Sequence, residues 1–380
     1  MLNNPTVLDF EAIRPYYDTE VKAILQQYMH HPMFRALLQF TFPNMTEEAI
    51  ADRMSDCDSI YDFQTKILYQ SLQNLLAKSS DGFTTSGFEN LQQDKPYLYI
   101  SNHRDIVLDT SLLNVALYDN NLIMTASAIG DNLVAKEFLK VLSRLNRNFL
   151  VQRGLSPREL LKSSKLLSAY IKELFGQNRS IWMAQREGRT KDGHDLTQQG
   201  VLKMITMAKG DMPLMQFLKN YHIVPVAISY EYDPTDILKV PEVVAQQGNL
   251  PYVKTTNEDF NSIMKGALGN KKHIHIAVNE LPEQVYDEID KEDQSDNDKL
   301  KHFASVIDRH IYLQYKLWPS NYIAYDMYHK VTKYGTTYTA KEKRLFERRL
   351  ARRVNIDQQL EVDSFLLMYA HPVINKELLS

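Results

Sequence analysis

The stretch SNHRDIVLD, residues 101–109, places a histidine, an arginine and two aspartates within nine positions. A neutral imidazole can take a proton from a hydroxyl near pH 7, and a carboxylate on its other ring nitrogen fixes the tautomer. His103 could form such a general-base pair with Asp109 or with Asp105. The same residue types are also found in the catalytic loop of a protein kinase and in metal sites, so both of these interpretations have to be tested.

The rest of the sequence argues against a kinase. A kinase needs a glycine-rich loop over the phosphates, an Asn after the catalytic Asp and a DFG metal site. The chain has neither G-x-G-x-x-G nor DFG nor APE, and Thr110 stands where the Asn should be.

A catalytic metal would need three or four convergent ligands. His103, Asp105 and Asp109 could supply two or three of them, and His273 and His275 alternate along a predicted strand, so they share a face. Alternating polar residues on a strand more often form a solvated face, and no H-E-x-x-H spacing occurs. We therefore expect no metal.

Composition sets the broad class of the protein. The 380 residues are 44% hydrophobic with a net charge of −3, which permits a large core and gives no reason to expect a nucleic-acid partner. Cys57 is the only cysteine, so an intrachain disulfide is excluded and a reducing compartment is favoured. We expect neither a signal peptide nor a membrane-spanning helix, because no apolar segment is long enough.

Six segments that favour strands alternate with helical patterns. They are YLYIS, LIMTASAI, NFLVQR, SIWMAQ, IVPVAISYE and HIHIAVNE. This alternation predicts an α/β fold with a mostly parallel central sheet, helices on both faces, and flanking N- and C-terminal helices. The expected regions are an N-terminal helical region 1–90, an α/β domain 91–282 and a C-terminal helical region 283–380. Residues 79–96 are predicted to be a loop from their composition.

Four polar blocks are predicted to lie at or near the carboxyl ends of these strands, where open α/β sheets place their ligands. Their sequences are SNHRDIVLD, LNRNFLVQRG, QREGRTKDG and IVPVAISYE. Together they contain six cations, and several arginines around one crevice favour a phosphorylated substrate. The six are Arg104, Arg147, Arg153, Arg186, Arg189 and Lys191.

Two neighbouring residues could support this anion site. Glu187 could orient an arginine, and Gly188 would let backbone N–H groups approach an anion. Each cation also has a structural alternative. Arg104 could pair with Asp105, and the others could be solvated charges.

The blocks contain no obvious covalent nucleophile. The motif G-x-S-x-G is absent, and Cys57 lies outside the predicted α/β part. A His-Asp pair without a protein nucleophile indicates that the hydroxyl of the substrate itself attacks. Direct acyl transfer from a thioester to an alcohol is the simplest such reaction.

At this point the chain resembles the glycerol-phosphate and lysophosphatidic acid acyltransferase superfamily. The blocks HRDIVLD, FLVQR, EGRTKDG and VPVAISYE follow the order of that superfamily over about residues 97–235. The arginine directly after the histidine and the ISYE ending look most like the glycerol-3-phosphate acyltransferase branch.

The resemblance implies roles for individual residues. His103 would be the general base and Asp109 its orienting acid, while Arg153 and Arg189 would bind the phosphate. The remaining implied positions are Glu187 and Gly188 in the phosphate pocket and Pro225 on the acyl-donor side.

One spacing departs from the family. The family has H-x4-D, whereas Leu108 occupies that position here and Asp109 gives H-x5-D. Either the loop has gained one residue, or Asp105 orients the histidine, or activity is impaired. We favour the inserted residue with Asp109 as the partner.

The expected activity is transfer of a fatty acyl group from acyl-CoA or acyl carrier protein to glycerol-3-phosphate or 1-acylglycerol-3-phosphate. No cofactor is expected, since the thioester is already activated. The expected location is the cytoplasm, on the inner face of the membrane. The alternatives are an amino-lipid or other lysolipid acceptor, or a catalytically silent relative that binds lipid or acyl carrier protein. The basic run KEKRLFERRLARR at 341–353 could be a solvated helix face or a membrane-surface patch.

Overall fold

The computed structural model describes residues 9–255 and 257–379. The chain begins with helices that pack around a small apolar core of their own, which includes Phe34 and Phe63. These helices are α1 (Asp18–Tyr28), α2 (Pro32–Thr41), α3 (Glu47–Ser55), α4 (Ile60–Phe63) and α5 (Tyr69–Ser79). A π-helical turn, Gln64–Leu68, joins α4 to α5. The predicted N-terminal helices are therefore present.

A seven-stranded sheet forms the centre of the described structure. Its strands are β1 (Ser80–Ser86), β2 (Leu98–Ser101), β3 (Thr125–Gly130), β4 (Asn148–Val151), β5 (Ser180–Ala184), β6 (Ile223–Tyr230) and β7 (Lys272–Val278). They lie in the order β1-β7-β6-β2-β5-β3-β4. Each neighbouring pair is parallel except β6 with β7, which is antiparallel. The prediction of a mostly parallel sheet is confirmed.

Helices follow most strands and cover both faces of the sheet. They are α6 (Leu108–Asp119), α7 (Glu137–Leu145), α8 (Pro157–Gly176), α9 (Gln199–Ile205), α10 (Leu214–Lys219), α11 (Asp236–Gln247) and α12 (Glu258–Leu268). Strand β2 shows that apolar side chains point to both faces of the sheet. Its Leu98 and Ile100 join one buried cluster, whereas Tyr99 points to the other. The parallel strands are thus buried on both sides, as the apolar run YLYI indicates.

The predicted loop at 79–96 is wrong in part. Residues 80–86 form β1, an edge strand that pairs with β7. Its sequence SDGFTTS is polar because half of an edge strand faces solvent, so composition alone indicates a loop. The sheet thus begins before residue 91, while the division of the chain into three domains stays a prediction.

Two helices occupy a region for which the sequence patterns predicted no element. Helices α11 and α12 lie between β6 and β7. Helix α12 packs against the His103 loop so closely that a Cβ on Gly266 would lie 2.0 Å from Asp105 Oδ2. This segment therefore helps to close the region where the catalytic residues were predicted.

The C-terminal region is helical, as predicted. Its helices are α13 (Glu283–Asp290), α14 (Asp296–Gln314), α15 (Pro319–His329), α16 (Ala340–Arg353) and α17 (Gln359–Glu377). The basic run lies on α16, where Phe346 and Leu350 are buried and Arg349 pairs with Asp236 at 2.7 Å. Arg344, Arg348 and Arg352 remain exposed on one side of this helix. The run is therefore partly a packing surface and partly a solvated face.

Candidate active site

The loop after β2 is fastened to the neighbouring strand β6 by Asn102. Its amide accepts the N–H of Ile228 at 2.8 Å and donates to the Ile228 carbonyl at 3.0 Å. Asn102 is fully buried, so these bonds are protected from water. They fix the chain direction immediately before His103.

His103 is paired with Asp109 and not with Asp105. Nδ1 of His103 lies 2.9 Å from Asp109 Oδ2. The same oxygen accepts the backbone N–H groups of Arg104 at 2.6 Å and Asp105 at 3.0 Å, so this oxygen is a hydrogen-bond acceptor. The histidine therefore donates through Nδ1, which leaves Nε2 free to accept a proton.

Two aromatic side chains hold this pair in place. Tyr230, from β6, donates to Asp109 Oδ1 at 2.9 Å, and burial together with that carboxylate raises the pKa of the Tyr230 hydroxyl. The ring of Trp182, from β5, meets the imidazole edge-on with centroids 5.5 Å apart. Asp109 is thus bound at both oxygens, and the imidazole is packed on one side.

Asp105 has a different role in the same loop. Its Oδ1 accepts the backbone N–H groups of Val107 at 3.0 Å and Leu108 at 2.9 Å, which caps the start of α6. Burial, and then the nearby Asp109, raises the pKa of the Asp105 carboxyl. This cap turns the chain so that Asp109, in the first turn of α6, reaches the imidazole across five intervening residues.

A polar cavity of about 660 Å³ opens in front of His103. It lies at the carboxyl ends of β3, β4 and β5, where the blocks were predicted to converge. Its walls include seven of the candidate site residues. They are His103, Arg153, Arg186, Glu187, Gly188, Arg189 and Lys191.

The cationic side of the cavity carries donors that the protein leaves unused. Among the described residues, Nε of Arg186 and Nη1 of Arg189 are buried without a hydrogen-bond partner. Arg153 pairs with Glu187 at 2.7 Å, and both side chains are partly exposed. Gly188 has a φ of 71°, a left-handed conformation that favours glycine. Unpaired buried donors are costly, so this wall is complementary to an anion.

Lys191 is less available than the sequence suggests. Its ammonium group forms a short ion pair with Glu242 from α11, and burial lowers its pKa. Glu242, Asp192 and Asp259 also line the cavity, so carboxylates stand opposite the arginines. The cavity therefore offers charges of both signs.

Two predicted binding residues lie outside the cavity. Arg104 is buried against Asp195, with Nη2 and Oδ2 2.6 Å apart, and Asp195 is fully buried. Arg147 is buried in the turn before β4 with a φ of 59°, and burial lowers its pKa to about 10. Neither side chain lines the cavity, so the geometry gives no support to their predicted contact with substrate. Pro225 lies inside β6, opposite Ile100 in β2.

A second, apolar cavity of about 470 Å³ adjoins the first. Helices α2, α5, α6, α7 and α12 contribute apolar side chains to it, such as Leu37, Leu72 and Met264. Five residues line both cavities, so the two cavities are direct neighbours. They are Val107, Ile129, Leu133, Asn146 and Asn148.

Comparison with known families agrees with this arrangement. Residues 82–229, from β1 to near the end of β6, match the model of the family described as Acyltransferase. The chain contains an acyltransferase domain. The superfamily resemblance predicted from the four blocks is confirmed, and the matched segment holds His103, Asp109 and the cationic loop of the acyltransferase domain.

Among solved structures, the chain is similar to the 1-acyl-sn-glycerophosphate acyltransferase of Thermotoga maritima. The identity is 12%, the TM-score is 0.38, and the match covers 77% of this chain and 93% of the other. No curated protein gives a significant match.

Sequence reasoning missed several residues that build the candidate site. Tyr230 lay within the block IVPVAISYE, but a buried tyrosine on a strand gives no local sign of its partner. Asp195 and Asn102 were missed for the same reason, since their partners lie far away in the sequence. Within residues 9–255 and 257–379, no group of three or more His, Cys, Asp or Glu side chains could hold a metal ion. No helix in these ranges is long and apolar enough to cross a membrane.

Proposed function

We propose that this protein transfers a fatty acyl group from an acyl thioester, on CoA or acyl carrier protein, to the hydroxyl of glycerol-3-phosphate or its 1-acyl form. The observation that supports this most is the His103–Asp109 pair facing a cavity with unused arginine donors. The adjoining apolar cavity has a suitable lining for the acyl chain.

The proposed mechanism uses no protein nucleophile. His103 Nε2 takes the proton of the acceptor hydroxyl while Asp109 stabilises the imidazolium that forms. The acceptor oxygen attacks the thioester carbonyl, and backbone donors near Gly188 stabilise the resulting oxyanion. The tetrahedral intermediate collapses, the C–S bond breaks, and the thiolate leaves with the proton from the imidazolium.

A membrane-surface location belongs to this proposal. The start of α8, at the cavity mouth, exposes Leu160 and Leu161, which are 53% and 49% accessible. Arg158 and Lys162 stand exposed beside them. Apolar side chains flanked by cations suit the surface of an anionic bilayer, from which a lysolipid would enter the cavity.

One observation favours a second acceptor class. Arg104 and Arg147 are absent from the cavity walls, while Glu187, Glu242, Asp192 and Asp259 line them. A lysolipid whose headgroup carries both an amine and an anion would satisfy this mixture of charges. We therefore keep an amino-lipid acceptor as the alternative.

Product analysis by mass spectrometry tests the proposal. The purified protein is incubated with acyl-CoA or acyl carrier protein and, separately, with glycerol-3-phosphate, its 1-acyl form and a lyso-amino-lipid. A new ester in the first or second reaction supports the proposal, and one only in the third supports the alternative. No ester in any reaction, with the thioester intact, would mean a binding protein without transferase activity.

A further inference from the structure

The boundary between the two cavities contains a cluster of polar side chains in an otherwise apolar wall. We define the junction cluster as Gln64, Asn114, Thr125, Ser127, Ser143, Asn146 and Asn148. Of these, Asn146 and Asn148 line both cavities, and Ser127 lines the polar one. Gln64, Asn114 and Ser143 line the apolar cavity. An acyl chain that starts at His103 and enters the apolar cavity must pass this cluster.

Hydrogen bonds connect most of the junction cluster. Gln64 donates to the Asn146 side chain at 3.1 Å, and Asn148 donates to Ser143 at 3.2 Å. Thr125 bonds both to Asn114, at 3.1 Å, and to Ser127, at 3.0 Å. Ser127 in turn pairs with Asn148 across β3 and β4. The cluster therefore consists of two hydrogen-bonded groups, Gln64 with Asn146 and the remaining five residues, built by helices and by the sheet.

Three polar atoms of the junction cluster remain without partners among the described residues. They are Gln64 Oε1, Asn114 Nδ2 and Asn148 Oδ1. Their residues are only 5%, 7% and 8% exposed. A buried polar group without a partner is costly, and native proteins hold few of them away from functional sites. Three beside one cavity indicate a ligand that supplies hydrogen bonds there.

The partners already present fix which atoms are free. Gln64 must present its NH₂ group to the backbone carbonyl of Asn146, at 3.3 Å, so its free atom is an acceptor. Asn114 must present its oxygen to the backbone N–H of Thr125, at 2.7 Å, so its free atom is a donor. The junction cluster thus offers both a donor and an acceptor.

A hydroxyl group matches this combination best, because it can donate and accept at once. A keto group only accepts, and an unsubstituted chain does neither. The three unpartnered atoms are buried, and small side-chain shifts of the kind common on binding would bring them into contact with the ligand. We propose that the donor thioester carries a hydroxyl on one of the first carbons after its carbonyl, and that the junction cluster recognises it.

This inference rests on the proposed function, since it assigns the acyl chain to the apolar cavity. The chemistry of transfer is unchanged, and the hydroxyl takes no part in it. A site built to bond a substrate hydroxyl rejects the analogue without it, because its own polar groups then stay unpaired. The expected preference in kcat/KM is at least about tenfold for a 3-hydroxyacyl thioester over the unsubstituted thioester of the same length.

The test measures both transfer and binding. Transfer is followed with the two thioesters, and isothermal titration calorimetry compares the 3-hydroxy fatty acid with the unsubstituted acid. Asn148→Leu and Asn114→Leu are expected to remove the preference, so that the kcat/KM values of the two thioesters become similar in each variant. Asn375→Leu is the matched control, because Asn375 is also buried, its amide atoms have no partner among the described residues, and it lines neither cavity. This control should retain the preference.

The outcomes separate the two proposals. Transfer with equal kcat/KM for the two thioesters overturns the hydroxyl inference and leaves the proposed function intact. No transfer, with the hydroxy acid still bound at least about tenfold more tightly, overturns the proposed function alone. Neither transfer nor a difference in binding overturns both. If one leucine variant fails to fold, as its thermal unfolding would show, the other variant and the wild-type comparison still decide the inference.

Discussion

The two loops that meet at the polar cavity obtain their hydrogen-bond partners from different sources. In the loop 102–109, most polar side-chain atoms are bonded to the protein itself, and Asp105 Oδ2 is a buried exception among the described residues. Asp109, for instance, accepts four bonds, from His103, Tyr230 and two backbone N–H groups. In the loop 185–191, Arg186 and Arg189 retain unused donors among the described residues. The first loop is thus organised by the protein's own hydrogen bonds, whereas the second keeps donors that an anionic ligand can bind.

The contrast is clearest in two arginine–carboxylate pairs. Arg104 and Asp195 are 9% and 0% exposed at their side chains, whereas Arg153 and Glu187 are 34% and 69% exposed. A buried pair is costly to break, while an exposed pair contributes little to stability and can exchange partners. The same chemical pair therefore has a structural role in one loop and is available to a ligand in the other.

The largest expected effect is on catalysis and comes from a substitution in the loop 102–109. His103→Ala should lower kcat by about 10²- to 10⁴-fold, because the general base is lost, with little change in the thermal unfolding temperature. Steady-state assays and a melting curve measure both. His275→Ala is the control, since His275 bonds to Thr84 and Ser86 on the far edge of the sheet. Near-normal activity of His103→Ala would rule out the general-base role.

The second prediction concerns the buried pair. Arg104→Ala should reduce the free energy of unfolding by about 3–5 kcal/mol, because Asp195 would be left as a buried charge without its cation. Denaturant unfolding measures this loss, and Arg352→Ala, on the exposed side of α16, should change stability little. Normal stability with a raised acceptor KM would show instead that Arg104 binds substrate.

The third prediction concerns the exposed pair. Arg153→Ala should raise the KM of a phosphorylated acceptor by roughly tenfold to a hundredfold, the loss expected for one charged hydrogen bond. Stability should stay within about 1 kcal/mol, since an exposed ion pair contributes little. Arg309→Ala, on the exposed side of α14, is the matched control. An unchanged KM would place the phosphate elsewhere.

The smallest expected effect concerns the support of Asp109. Tyr230→Phe should lower kcat by about three- to tenfold with little change in KM, because one hydrogen bond to the carboxylate is lost. Steady-state kinetics of the variant measure this change. Tyr221→Phe, which removes a buried hydroxyl that has no partner among the described residues, should leave kcat unchanged.

Local patterns in the sequence were sufficient for most of the fold. The alternation of apolar strands with helices predicted the parallel sheet. Strand and helix patterns can be read locally, because each depends on residues only a few positions apart. The same patterns failed at β1, whose polar sequence suits an edge strand as well as a loop. They also gave no prediction for α11 and α12, which bring Glu242 and Asp259 to the cavity.

The sequence by itself determined which residue types meet at the carboxyl edge of the sheet, because strand order and loop position follow from periodicity. It also indicated Asp109 as the partner of His103. Only the tertiary structure decided that Arg104 is buried in an ion pair, whereas Arg153 lines the cavity. The partner that buries Arg104 is Asp195, about ninety positions away in the sequence. The tertiary structure likewise brought Gln64 beside Asn146, 82 positions along the chain. Such contacts produce no periodic pattern in the sequence, because they form only when helices and strands that are distant in the sequence pack against each other.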